Sequence, residues 1–187
     1  MLKNTISQLL EAVDENTELW NPQKWAIAKA PETGEAKSYL AAQAEADAAW
    51  ERGPLTIKKA LFLEAKADGF GIYSERAGST FNHGETAFVY VEPNGFDWGP
   101  EKDGLYRFGL VVDLNLKTKS GEVIADVPNF IQSPVSNRNK LKTFFISVDL
   151  TLKDSLPAGA YDLTLTLHDM NSTKVARVGL PLSITGQ

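Results

Sequence analysis

The chain has no cysteine among its 187 residues. Disulfides, thiolate metal sites and cysteine nucleophiles are therefore excluded. Histidine is scarce too, with only His83 and His168. A zinc site normally takes three or four His, Cys or carboxylate ligands, and no such set stands at a usable spacing here. No apolar run approaches the roughly 18 residues that a membrane-spanning helix requires. The opening residues, Met1 to Ile6, lack the apolar stretch of a secretory leader. The chain is accordingly expected either to be cytoplasmic or to have lost a leader.

Excess positive charge is also missing. The formal net charge is −5, of which −4 falls in the first 52 residues. A nucleic-acid interface needs a cationic footprint, so no nucleic-acid partner is expected. The local basic group Arg138, Lys140 and Lys142 is read as a solvated loop. No Gly-rich phosphate loop occurs. Gly69-Phe-Gly71 runs into Ile-Tyr-Ser rather than into a helix start, so it lacks the context of a nucleotide site. No cofactor is expected.

What is present is enough apolar material for a core, at 43% hydrophobic residues, and two successive periodicities. In the first third the spacing is helical. Ile6, Leu9, Leu10 and Val13 predict a helix over ~4–19, and Pro22 can open a short one through Trp25 and Ile27. Ala36, Leu40, Ala44 and Ala48 predict another over ~35–51, with a thin apolar stripe. Gly53-Pro54 ends this region, giving a helical N-terminal segment at 1–53 and a second domain at 54–187. Trp20, Trp25 and Trp50 either dock these helices or offer a face to a partner.

Beyond Pro54 the period becomes two. Leu61, Leu63, Ala65 and Ala67 alternate with Phe62, Glu64, Lys66 and Asp68. Ala87, Val89 and Val91 form a second stripe. Tyr106, Phe108, Leu110, Val112, Leu114 and Leu116 share one face opposite Arg107, Gly109, Asp113, Asn115 and Lys117. Further runs cover Phe144–Leu152, Tyr161–Leu167 (opposite Asp162, Thr164, Thr166 and His168) and Val178–Ile184. Short strands near Ile72–Glu75 and Val123–Val127 bring the total to about eight. One apolar face per strand, with no helices between strands, predicts an antiparallel β-sandwich. Leu156-Pro-Ala-Gly159-Ala-Tyr161 has the form of a tyrosine corner, in which a phenol bonds to backbone upstream of its strand, and this points to an immunoglobulin-like sandwich.

Catalytic constellations are thin. His168 neighbours Asp169, but adjacent strand residues point to opposite faces, and no Gly-x-Ser-x-Gly elbow occurs. His83 sits in a turn. The most unusual stretch is the loop from Glu92 to Asp103, which gathers Glu92, Asp97, Glu101 and Asp103 around Phe96 and Trp98. Its spacing matches no calcium loop, so no metal is assigned. Loop aromatics at the end of a sandwich are common binding elements. Phe96 and Trp98, with Glu92 and Asp97, are therefore the candidate ligand-binding residues, the alternative being that the two rings cap the open end of the core.

Residues ~61–184 resemble a group of uncharacterised bacterial exported β-sandwich proteins with immunoglobulin-like folds. The resemblance rests on Gly69-Phe-Gly-Ile-Tyr73, Phe81-Asn-His-Gly-Glu85, Tyr90-Val-Glu92, Gly95-Phe96, Leu156-Pro-Ala-Gly-Ala-Tyr161, Leu167-His-Asp169 and Ser172-Thr-Lys174. It implies the fold and a periplasmic or extracellular location, a cytoplasmic one being the alternative, and brings no activity with it. The expected function is a non-catalytic binding or protein-interaction module of the cell envelope, not an enzyme, with a protein or glycan partner. The alternative is a carbohydrate-active protein, either a sugar-binding module or a weak glycoside hydrolase acting through Glu92 with Asp97 or Glu101.

Overall fold

The structure, a computed structural model, describes residues 34–185. The helices expected near 4–19 and after Pro22, with Trp20 and Trp25, lie outside them. The first described element is α1, Gly34–Arg52. Along it Tyr39, Leu40 and Ala44 are exposed and Ala48 is half-buried. The helix stops where Gly53 N donates to the carbonyls of Ala49 and Trp50 and Pro54 follows, which offers no N–H to continue it. The boundary between compact units falls inside α1, between Asp47 and Ala48. Its last turn, with Trp50, thus belongs to the same unit as the strands.

Eight strands follow: β1 Thr56–Leu63, β2 Thr80–Phe81, β3 Thr86–Asn94, β4 Tyr106–Thr118, β5 Val123–Asn137, β6 Ile146–Thr151, β7 Gly159–Asp169 and β8 Val175–Ile184. They form a three-stranded sheet, β1-β3-β6, and a five-stranded sheet, β2-β8-β7-β4-β5. All named pairings are antiparallel except β2 with β8. Lettered A, A′, B, C, C′, E, F and G in chain order, the sheets read A-B-E and A′-G-F-C-C′, which is the immunoglobulin-like arrangement. Val89, Val91, Ile146 and Val148 from one sheet and Leu110, Val112, Leu114, Leu163, Leu165 and Leu182 from the other fill a single core.

Three strand expectations need correction. In β1 the core residue is Phe62, not the Leu61/Leu63 stripe. Leu63 pairs in register with Phe88 and Leu61 with Tyr90, on the outer face of the small sheet. Those residues are sheltered because the connection 64–79 folds back over them: Gly71 N donates to the Tyr90 hydroxyl and the Tyr73 ring packs on the Tyr90 ring. That same fold-back explains why Ile72–Glu75 is no strand but a crossing held by isolated bridges. Alternation alone could not say which face met the core, since both faces of β1 are partly apolar. Finally, β5 runs to Asn137, ten residues past the expected end. Pro128 and Pro134 obscured it, because proline is tolerated only on edge strands and at bulges. β5 is such an edge, with no described strand on its outer side.

The tyrosine corner is present. The Tyr161 hydroxyl donates to Pro157 O at 2.6 Å, and the ring is 2% exposed at the start of β7. Tyr161→Phe removes only that hydroxyl and leaves Pro157 O without its donor. It is expected to cost about 1–2 kcal/mol, read as a lower midpoint in urea at unchanged slope. An unchanged midpoint would show that the bond contributes nothing to the crossing.

Candidate functional site

The loop after β3 is built as a plug. Gly95 turns it with φ 83°, and a Cβ there would stand 2.2 Å from Pro54 O, so only glycine fits. Phe96 then enters the core at 0% exposure and Trp98 at 8%. Phe96 stacks on Phe108, and Trp98 lies parallel to Trp50 with centroids 5.7 Å apart. Each indole N–H is satisfied inside this assembly, Trp50 Nε1 by Phe96 O at 2.7 Å and Trp98 Nε1 by Leu141 O at 3.1 Å. The expectation of an exposed aromatic platform is thereby corrected. The absence of strand alternation hid the burial, because a plug residue enters a sandwich end-on and has no periodic signature. The lysines read as solvated also belong here. Lys140 Nζ lies 5.2 Å from the Trp98 ring centre and 2.7 Å from Glu51, and Lys142 lies over Trp50.

The acids of this loop are not gathered together. Glu92 sits in β3 on the outer face of the small sheet, in register with Lys59. Asp97 is at the end of the sandwich, 2.6 Å from Lys174 Nζ, which also donates to Gly95 O and Glu51 O. Asp169, the buried acid of the described residues at 7% exposure, accepts from Asp97 N and Asn171 N, both at 2.7 Å. Asn171 in turn donates to Asp97 O and Arg107 O. The bonds from Lys174 to Gly95 and Asp97, from Asp97 N to Asp169 and from Asn171 to Asp97 O tie the plug to the β7–β8 turn. Glu101 and Asp103 are exposed. Among the described residues no cluster of three metal-ligating groups occurs. His83 is likewise committed, with Nε2 2.6 Å from Leu156 O.

A different set of side chains comes together on the outer face of the five-stranded sheet. Asp113, Asn115 and Lys117 of β4, Thr164, Thr166 and His168 of β7, Arg177 of β8 and Asp126 of β5 line a groove of about 350 Å³. Register explains the set. Asp113, Thr166 and Arg177 are directly opposed across three strands, and Asn115 faces Thr164 on one side and Asp126 on the other. Residues opposed in this way share a face. The groove owes part of its wall to a bulge in β5: Asp113 alone faces residues 128–130, between the pairs Val112–Ile131 and Leu114–Val127. Asn129 takes a left-handed φ of 53° there, and its N–H donates to Asp113 Oδ1 at 2.8 Å. The other oxygen, Oδ2, meets His168 Nε2 at 2.7 Å. The Asn129 amide first, and then the His168 ring, hold the Asp113 carboxyl below the usual carboxylate range.

The sequence placed Asp113 and His168 on polar faces but did not bring them together. They are 55 residues apart, and their contact depends on β4 lying beside β7. A signal was available in principle, since C-beside-F pairing follows from the immunoglobulin-like order once the tyrosine corner is recognised.

No family model and no curated protein matches this chain. Solved structures match it distantly. The sporulation control protein Spo0M from Bacillus subtilis aligns at 9% identity and TM-score 0.42, over 72% of this chain and 51% of that one. A family 123 glycoside hydrolase from Clostridium perfringens aligns at 8% identity and TM-score 0.39, over 58% and 23%. The CARDB domain of a Pyrococcus furiosus protein, solved with di-metal ions, aligns at 13% identity and TM-score 0.34, over 71% and 86%. The chain thus spans about half of the first of these proteins and about a quarter of the second. At these scores nothing about function is carried across.

Proposed function

We propose that this protein is a non-catalytic binding module, with the groove on the outer face of the five-stranded sheet as its binding surface. The observation that carries the reading is the groove itself. Eight polar side chains from four strands converge on one face, and no apolar side chain lines it. Side chains on paired strands are held in place better than those on loops, which suits a site that must recognise a defined ligand. The His168–Asp113 pair fits the same role. The two residues fix one another, and each oxygen of the carboxylate already accepts one hydrogen bond, from the ring and from the Asn129 amide. A location at the bacterial cell envelope is part of this proposal and rests on the sequence resemblance of residues ~61–184.

The test is a paired screen. Intact protein and a Thr164→Met variant, in which a longer uncharged side chain fills part of the groove, are applied to glycan and peptide arrays. Thr164 is half-buried at the surface, so the variant should fold, which circular dichroism checks. Ligands retained by the intact protein and lost by the folded variant support the proposal. Binding that survives in the variant would place the recognition surface elsewhere on the molecule.

A further inference from the structure

We infer that the groove takes a short acidic saccharide, a hydroxylated ligand carrying carboxylate or sulfate groups. The inference rests on the binding reading above and specifies its ligand. Formal charges in the groove balance, with Asp113 and Asp126 against Lys117 and Arg177, so a simple count of charges predicts nothing. What differs is how the charges are already used. Both oxygens of Asp113 accept hydrogen bonds, and Asp126 Oδ1 accepts from Asn115 Nδ2 at 3.0 Å. The cations are not used in this way. Neither Lys117 nor Arg177 forms an ion pair among the described residues. Arg177 spends only its Nε, donating to Thr166 Oγ1 at 3.2 Å.

That single bond has a geometric effect. It anchors the guanidinium by its inner nitrogen and leaves the terminal fork available. Such a fork matches a carboxylate or sulfate in bidentate fashion. Lys117 supplies a second, point-like cation. Its row lies four residues along β4 from the row shared by Asp113 and Arg177, or about 13 Å at strand rise. The two cations therefore suit acidic groups towards opposite ends of a short oligomer better than one small ion. Between them the Thr164 hydroxyl and the free oxygen of Asp126 offer the mixture of donor and acceptor that ring hydroxyls require. An apolar ligand would find no matching wall. A long polyanion is disfavoured by the net charge of −5, which opposes long-range attraction.

The experiment is a titration of the full-length protein with three probes: trigalacturonic acid, a sulfated chondroitin disaccharide and neutral maltotriose. Binding is followed by calorimetry and by amide shifts in the NMR spectrum. At low salt at least one acidic probe should bind and maltotriose should not. Shifts should concentrate at Asn115, Thr164 and Thr166. Lys117→Gln and Arg177→Gln, both exposed changes, should together weaken binding by about tenfold or more, with the melting temperature unchanged. Equal binding of maltotriose, retained affinity in the double variant, or no binding of either acid would each overturn the inference. If the acids fail while an array ligand is still lost with Thr164→Met, the ligand class is wrong and the binding reading stands. If no groove-dependent ligand exists at all, both fall.

Discussion

Trp98→Ala is expected to destabilise the protein by about 3–5 kcal/mol, the cost of emptying a large aromatic site in a packed core. A drop in Tm on the order of 10 °C should accompany it for a domain of this size. The argument rests on what the indole touches. It is 8% exposed, it stacks on Trp50 and meets Phe96 edge-on, and its N–H is bonded to Leu141 O. Removing it leaves a void between α1, the β3–β4 loop and the segment before β6, and it orphans the Leu141 carbonyl. Lys140→Ala is the control. It deletes the cation over the ring but keeps the ring, and should cost no more than about 1 kcal/mol. Urea denaturation with both variants decides the matter. A loss for Trp98→Ala as small as that for Lys140→Ala would mean that the ring lies on the core rather than in it.

Asp169→Ala is expected to cost about 2–4 kcal/mol, because it strands donors rather than merely deleting an acceptor. The amides of Asp97 and Asn171 both point at this carboxylate, and Asn171 itself bridges the plug through Asp97 O and Arg107 O. The loss should be shared by two places. The β7–β8 turn loosens, and the plug loses its bond to that turn. Asp169→Asn retains one carbonyl oxygen, so it should recover roughly half of the stability. Hydrogen exchange at the Asp97 and Asn171 amides gives an independent readout, with protection lost in the alanine variant. Equal stability of the alanine, asparagine and original proteins would show that water replaces the carboxylate without penalty.

Much of this fold was legible because alternation is a strong signal where one face alone is apolar. The stripe from Phe108 to Leu116 and that from Tyr161 to Leu167 are buried as expected, and one Gly-Ala-Tyr turn identified the crossing. The signal failed where its premise did. β1 is apolar on both faces, and β5 is an edge strand interrupted by prolines. The plug illustrates a different limit. Phe96 and Trp98 were recognised as a pair outside any strand, but their direction depends on Gly95 and on Asp169, 72 residues from Asp97. The groove was missed for a similar reason. The residues it takes from β4 and β7 stand on polar faces in the sequence, yet which polar faces adjoin is a property of strand order, and strand order is not written in any local pattern.

The bulged, proline-bearing β5 bears on how copies of this molecule behave in a crowded solution. A 15-residue edge is long enough to act as a template for another chain. Pro128 and Pro134 offer no amide hydrogen to an incoming strand, and they divide the edge into the short runs 123–127, 129–133 and 135–137. Within the middle run, the left-handed backbone at Asn129 turns the ribbon out of line. An approaching copy therefore meets no continuous ladder along which to zip, which makes this edge a poor template for fibre growth.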